Sequence, residues 1–270
     1  MSQPTRPIIE TLDLSRYFGG LRAVDGVSLQ VAEGALHSII GPNGAGKTTL
    51  FNLVSGTIKP TRGDVYLRGK RITGTPLHRM AHLGIGRSFQ ITNVFPNLTV
   101  LENARLSAQA QGRDSLKVWA RASAFRRYEE RAMEALRQVG LESKAGIAAS
   151  VLPHGDKRKL ELAILLAGDP EVLLLDEPTA GMASDQVPVL LEMIRQVRES
   201  TGKTVLLVEH NMNIVMNVSD RITVMHQGRV LAEGTPAEIR ANEAVQHAYL
   251  GESYGDAEAD TGQAQAPASE

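Results

Sequence analysis

Ile39-Ile40-Gly41-Pro42-Asn43-Gly44-Ala45-Gly46-Lys47-Thr48-Thr49-Leu50 is the stretch on which the fold turns. Gly41 to Thr48 satisfies G-x-x-x-x-G-K-[ST], and the flanks decide whether that pattern carries weight. Before it, the short apolar run Leu36 to Ile40 reads as a strand. After it, Lys47 to Ser55 has the apolar spacing of a helix in Leu50, Leu53 and Val54, and Gly56 stands where a glycine cap ends one. A strand, a glycine-rich turn and a helix in that order make an anion cradle. Successive backbone N–H groups of Gly41, Pro42, Asn43, Gly44, Ala45 and Gly46, Pro42 excepted, turn inward around phosphate oxygens, and the helix start adds its positive end. Lys47 brings a mobile point charge, Thr48 offers a hydroxyl to Mg²⁺, and Thr49 follows in the same cradle.

Working outward, Ile8 to Leu14 and Val27 to Val31 read as strands, so a sheet starts early. Val100 to Gly140 changes character to Ala, Arg, Glu, Gln and Leu with little β-branching, which reads as a helical insertion. Strand signals return at Glu171 to Asp176, Thr204 to Glu209, Arg221 to Met225 and Arg229 to Glu233, the last two flanking Gln227-Gly228 as a tight hairpin. Strands alternating with helices imply a mostly parallel sheet covered on both faces and interrupted by a helical lobe, an α/β fold. From Glu252 onward Gly, Ala, Asp, Glu, Gln, Ser and Pro dominate, the composition of a disordered tail.

Val172-Leu173-Leu174-Leu175 runs straight into Asp176-Glu177-Pro178-Thr179, delivering two adjacent carboxylates at the carboxyl end of a buried strand, where α/β sheets bind ligands. Side chains alternate along a strand, so the two acids cannot do identical work. Asp176 can orient a metal's water shell while Glu177 reaches an attacking water.

The composition narrows the classes further. With 270 residues, 42% of them hydrophobic, the chain can fill the core of a large α/β domain or two fused lobes. A formal net charge of -1 names neither nucleic acid nor a membrane surface as partner. The absence of cysteine excludes disulfides, zinc knuckles and thiol catalysis. No stretch approaches the roughly 20 apolar residues of a membrane-spanning helix, and Met1 to Glu10 has no apolar run of signal-peptide length, so a membrane role must come through a partner.

Taken in order from about Ile8 to Glu252, these motifs resemble the ATP-binding cassettes of ABC transporters. The resemblance implies a P-loop NTPase (RecA-like) core with an antiparallel β subdomain and an inserted α-helical subdomain. Residues 1–90 and 160–251 would form the core, 91–159 the helical subdomain and 252–270 the tail. It implies ATP and Mg²⁺ as ligands, with Thr48, Gln90 and Asp176 on the metal side and Glu177, His210 and Lys47 as the catalytic set. Phe18, in Tyr17-Phe18-Gly19, matches the aromatic that stacks on adenine, with Tyr17 as the fallback. Gln90, in Arg87-Ser88-Phe89-Gln90, matches the glutamine that senses Mg²⁺ and the membrane partner. His210, after Val205-Leu206-Leu207-Val208-Glu209, matches the switch histidine that contacts the γ-phosphate.

The family's second element, usually Leu-Ser-Gly-Gly-Gln, caps the nucleotide of the opposing subunit, and here it departs. It reads Leu152-Pro153-His154-Gly155-Asp156, so Pro153, His154, Gly155 and Asp156 stand as the trans-acting set. Pro153 replaces a hydroxyl and lacks an N–H, although a helix starting after Gly155 would still present a positive end. Ala183 stands where the family has an aspartate facing the partner. These departures suggest an asymmetric heterodimer. The spellings Gly84-Ile85-Gly86-Arg87-Ser88-Phe89-Gln90, Leu160-Glu161-Leu162-Ala163, Val208-Glu209-His210-Asn211-Met212 and Ala248-Tyr249-Leu250-Gly251 resemble the Liv-type group. That group energises uptake of branched-chain amino acids, with near relatives serving urea and aromatic acids. Its implied partners are a second, LivF-like ATPase or a second copy of this chain, two permeases docked on the lobe from about Ile91 to His154, and indirectly an extracytoplasmic binding protein. The implied place is the cytoplasmic face of the membrane, with no nucleic acid. Two other readings stay open: a soluble ABC ATPase acting on nucleic acid or ribosomes, which would co-purify with nucleic acid, and a non-hydrolysing nucleotide sensor, which would release no phosphate.

Overall fold

The computed structural model describes residues 7–88, 94–112 and 122–249; Gln90 and the tail from Glu252 lie outside them. In chain order the elements are β1 (Pro7–Phe18), β2 (Leu21–Ala32), β3 (Leu36–Ile40), α1 (Lys47–Val54), β4 (Arg62–Leu67), β5 (Lys70–Arg71), α2 (Leu77–Met80) and β6 (Ile85–Arg87). The lobe that follows holds α3 (Val100–Ala110), α4 (Ala122–Gln138) and α5 (His154–Ala167). The chain then returns to β7 (Val172–Asp176), α6 (Val187–Thr201), β8 (Thr204–Val208), α7 (Met212–Val218), β9 (Arg221–His226), β10 (Arg229–Gly234) and α8 (Pro236–Arg240).

Two sheets result, and their burial patterns show why. In β2, Val27, Leu29 and Val31 are buried while Ser28 and Gln30 are exposed, the alternation of a sheet with one wet face. It joins β1, β4 and β5 in an antiparallel sheet of order β2-β1-β4-β5. By contrast every residue of β3, β7 and β8 is buried. They belong to the sheet β10-β9-β3-β8-β7-β6, parallel from β9 to β6 with β10 antiparallel at its edge. Alternate side chains of these strands feed different cores. Leu173, Leu175, Val205 and Leu207 pack with the lobe helices and α6, whereas Val172, Leu174, Leu206 and Val208 pack with Phe51 of α1 and with Ile9 and Val27 of the antiparallel sheet.

The lobe starts at a capping box in which Thr99 and Glu102 bond each other's backbone N–H, and α3, α4 and α5 pack on one another. Gln227 and Gly228 both have positive φ, 47 and 79, as a two-residue β9–β10 hairpin requires. Strands β4, β5 and β6 are additions that periodicity does not announce. Arg62-Gly63-Asp64 begins β4 with residues poor in β propensity, and its strand character comes from pairing with β1. The helix expected after Gly155 begins earlier, at His154, because Pro153 at the N-cap holds φ at -56 and its carbonyl accepts the first helical bond from Lys157.

Candidate functional site

Because β3, β8 and β7 are neighbours and parallel, their carboxyl ends lie side by side, and each carries a group singled out from the sequence. From β3 comes the glycine loop. Gly41 has no room for a side chain, since a Cβ there would lie 2.2 Å from the Met225 carbonyl oxygen. Gly46, the N-cap of α1, adopts φ +98, and a Cβ would lie 2.2 Å from the Ala23 carbonyl oxygen. The start of β2 therefore rests directly on the loop. No side chain caps α1 and no acid lies in its first turn, so its positive end stays available to an anion. Lys47 is buried, its Nζ donating to the Gly41 and Pro42 carbonyls at 2.5 and 2.8 Å, while Thr48 is exposed and Thr49 half-buried.

From β7 come the acids. Asp176 is its last residue and is buried; burial pushes its carboxyl up, and the Arg87 guanidinium partly offsets this. Arg87 Nη2 lies 3.4 Å from Asp176 Oδ2, while Nη1 donates to Ser55 Oγ at 2.8 Å and Thr57 Oγ1 at 2.7 Å, and the guanidinium lies over the Phe51 ring. The other oxygen, Asp176 Oδ1, is buried with no hydrogen-bond partner. Glu177 turns off the strand line at φ +46, a conformation held by its N–H to Val208 O at 2.9 Å and by Ala180 N–H to its own carbonyl at 3.0 Å. From β8 come buried Glu209 and then His210, whose side chain is exposed.

The aromatic pair near the β1–β2 turn divides its roles. Phe18 is exposed with the Arg16 guanidinium 4.5 Å from its ring centre. Tyr17 donates its hydroxyl to Asp25 Oδ1 at 2.8 Å, and Asp25 also holds Arg229 at 2.7 Å. Pro153, His154, Gly155 and Asp156 gather at the start of α5, where the contacts run to a different segment. A Cβ on Gly155 would meet Gln186 Oε1, one on Gly181 would lie 3.6 Å from His154 Cε1, and Arg158 donates to Ala180 O at 3.0 Å. Asp156 pairs with Lys144 and, at 3.8 Å, with Lys159.

Sequence reasoning missed Arg87, Ser55 and Thr57 behind Asp176, and Thr179 bonded to Glu209. Only the adjacency of Glu209 to His210 was a signal. A Mg²⁺ ion fits this donor set: a buried carboxylate oxygen without a partner and a hydroxyl at a helix start are hard oxygens that suit it.

A phosphate loop between β3 and α1, facing paired acids at the end of a neighbouring parallel strand, defines a nucleotide-binding P-loop protein. The family described as ABC transporter matches residues 24–180, and that described as branched-chain amino acid ATP-binding cassette transporter matches residues 229–255. The high-affinity branched-chain amino acid transport ATP-binding protein LivG of Salmonella typhimurium is 42% identical over 254 residues, 92% of this chain and 100% of that protein. The lipopolysaccharide export system ATP-binding protein LptB of Escherichia coli is 36% identical, covering 90% of this chain and 96% of that one. In solved structures, the ADP conformation of MJ1267, an ATP-binding cassette of an ABC transporter, superposes with TM-score 0.78 at 30% identity, over 91% of this chain and 99% of that one. The chain belongs to the ABC transporter family and is one of its ATP-hydrolysing subunits. Among the described residues no helix is long and apolar enough to cross a membrane.

Proposed function

We propose that this chain drives an importer of branched-chain amino acids from the cytoplasmic face of the membrane. It would work as a dimer with a LivF-like ATPase or a second copy, beneath two permeases fed by an extracytoplasmic binding protein. The observation that supports the solute most is the match of residues 229–255 to the branched-chain family, beside 42% identity to LivG across the whole of that protein. In this reading residues 1–90 and 160–251 bind nucleotide, 91–159 carry the permease surface, and the Pro153–Asp156 set faces the partner's nucleotide.

The chemistry is hydrolysis of the γ-phosphoryl group. The loop from Gly41 to Thr49 and Lys47 hold the phosphates, Phe18 stacks on the base, and the exposed His210 ring reaches a γ-phosphate oxygen. In this reading Lys47 Nζ, which donates to the Gly41 and Pro42 carbonyls at the base of the loop, turns to the phosphates. Glu177 orients the attacking water and accepts its proton as the water oxygen bonds the γ-phosphorus and the bond from γ-phosphorus to the ADP oxygen breaks. Thr48, Asp176 and Gln90 would hold Mg²⁺, which neutralises phosphate charge.

Glu177→Gln should lower turnover of the assembled complex by about 10²- to 10³-fold while ATP affinity stays within threefold. Near-normal hydrolysis by that variant would overturn the assignment. The solute is tested separately: vesicles containing the complex and its binding protein should accumulate leucine, isoleucine or valine on ATP addition. Accumulation of urea or an aromatic acid instead would replace the proposed substrate.

A further inference from the structure

The ends of β7 and β8 are stitched together by side chains as well as by backbone, and the residue that makes the stitch has an atom left over. Glu209, the first residue beyond β8, is fully buried. Its Oε1 accepts from the Thr179 backbone N–H at 3.2 Å and from the Thr179 hydroxyl at 2.7 Å. Oε2 is equally enclosed and has no hydrogen-bond partner. Withdrawing a carboxylate oxygen from water without giving it a donor is unfavourable, so an atom left this way calls for a partner that arrives in another state of the site. That partner is the next residue. His210 Nδ1 stands 3.8 Å from Oε2, too far for a hydrogen bond, and the ring is 60% exposed, so little packing opposes its turning toward Oε2.

We infer that Glu209 is a positioning residue for His210: Oε2 accepts Nδ1–H, which turns Nε2 outward toward the terminal phosphate of the nucleotide. The inference rests on the reading of His210 as a phosphate-contacting residue. Both ring nitrogens donate only in the imidazolium form, so a ring that gives Nδ1–H to Glu209 and Nε2–H to a phosphate oxygen carries a charge that the Glu209 carboxylate balances. Burial pushes the Glu209 carboxyl up, the Thr179 bonds and the His210 ring pull it down, and Glu177 raises it, so the ionised form gains as the ring approaches. The same carboxylate ties two functional residues to one anchor. Thr179 sits two residues beyond Glu177, whose own N–H bonds Val208 O, so Glu209 keeps the turn that presents Glu177 in register with the strand that presents His210.

A double-mutant cycle on the full chain, assembled with its partners, separates this role from a structural one. Glu209→Gln keeps side-chain size and an oxygen for Thr179 but withdraws the charge from His210. It should lower single-turnover hydrolysis about tenfold, equivalent to about 1.4 kcal/mol, with little change in ATP affinity. In a His210→Ala background the same change should cost less than twofold, because its target is gone. Unfolding midpoints are measured alongside. If Glu209→Gln lowers the midpoint, the cycle is run with Glu209→Asp, which keeps the charge but draws it back from the ring, and the same non-additivity is expected. Equal losses in both backgrounds, or no loss in either, would overturn the inference. Unchanged turnover in His210→Ala alone would overturn the reading of His210, and this inference with it.

Discussion

Gly46 and Gly155 stand at the starts of α1 and α5, and each would crowd a neighbour if it carried a Cβ: 2.2 Å from Ala23 O for the first, 2.3 Å from Gln186 Oε1 for the second. The distances nearly agree and the neighbours do not. Ala23 O is a backbone atom of β2, at a register shift between the ladder pairs Tyr17–Arg22 and Arg16–Val24, whereas Gln186 Oε1 is the far end of a flexible side chain. Gly46 also adopts φ +98, which a residue with a Cβ resists. The glycine loop, proposed to grip the chain's own nucleotide, is thus packed against buried strands and backbone. The segment that faces outward, Pro153 to Asp156, is held by side chains that can yield.

Substitution by alanine puts that contrast at risk. Gly46→Ala should weaken ATP binding by at least about 100-fold in a fluorescent-nucleotide titration, since either the loop or the β1–β2 ribbon must move. Gly155→Ala should leave the chain's own nucleotide affinity within twofold, because Gln186 swings aside. Similar losses at the two positions would break the distinction.

Arg87 sharpens the comparison from the charge side. With Lys47 as the weaker second cation, it offsets the charge of Asp176, and burial works against the charge at both ends, pushing the Asp176 carboxyl up and the Arg87 guanidinium down. Removing one partner leaves a buried charge uncompensated, so Arg87→Met should cost about 3 kcal/mol of unfolding free energy at pH 7. The pH dependence has a definite sign. A carboxyl whose folded pKa is raised binds its proton more tightly in the folded state, so its charge destabilises the fold above the unfolded pKa and not below it. Without Arg87 that rise is larger. The gap between variant and parent in urea titrations should therefore shrink as pH falls from 7 toward about 4. A gap independent of pH would mean that Arg87 acts through Phe51, Ser55 and Thr57 alone.

The same division marks what the sequence discloses. Continuous apolar runs such as Val172 to Leu175 and Val205 to Val208 are legible as buried parallel strands because both faces are covered, and Gly41 to Thr48 is legible because its chemistry is local. Strand β4 is not, since Gly63 and Asp64 oppose strand propensity and the pairing with β1 overrides them. Glu209, Thr179 and Arg87 are not legible either. Each acts on a residue brought near by tertiary packing, such as Arg87 on Asp176, 89 positions away in the chain. The start of α5 at His154, earlier than expected, follows from the φ that Pro153 imposes, and the proline itself was visible.

The smallest effect belongs to the outward-facing segment. Asp156 lies in the first turn of α5, where a negative charge already favours the helix, and Lys144 pairs with it from the short helical turn Glu142–Lys144. Lys144 is 39% exposed and Asp156 15%, so water and salt compete for the pair and only modest stability rests on it. Lys144→Met should lower unfolding free energy by less than about 1 kcal/mol, and most of that should vanish in 1 M salt, where the Debye length falls to about 3 Å. ATP affinity of the chain itself should not change, because the groups proposed to set it lie at α1 and at the ends of β7 and β8. A salt-insensitive loss, or a loss of nucleotide binding, would mean that the start of α5 is tied to the buried half of the site, and the contrast between Gly46 and Gly155 would then be one of degree.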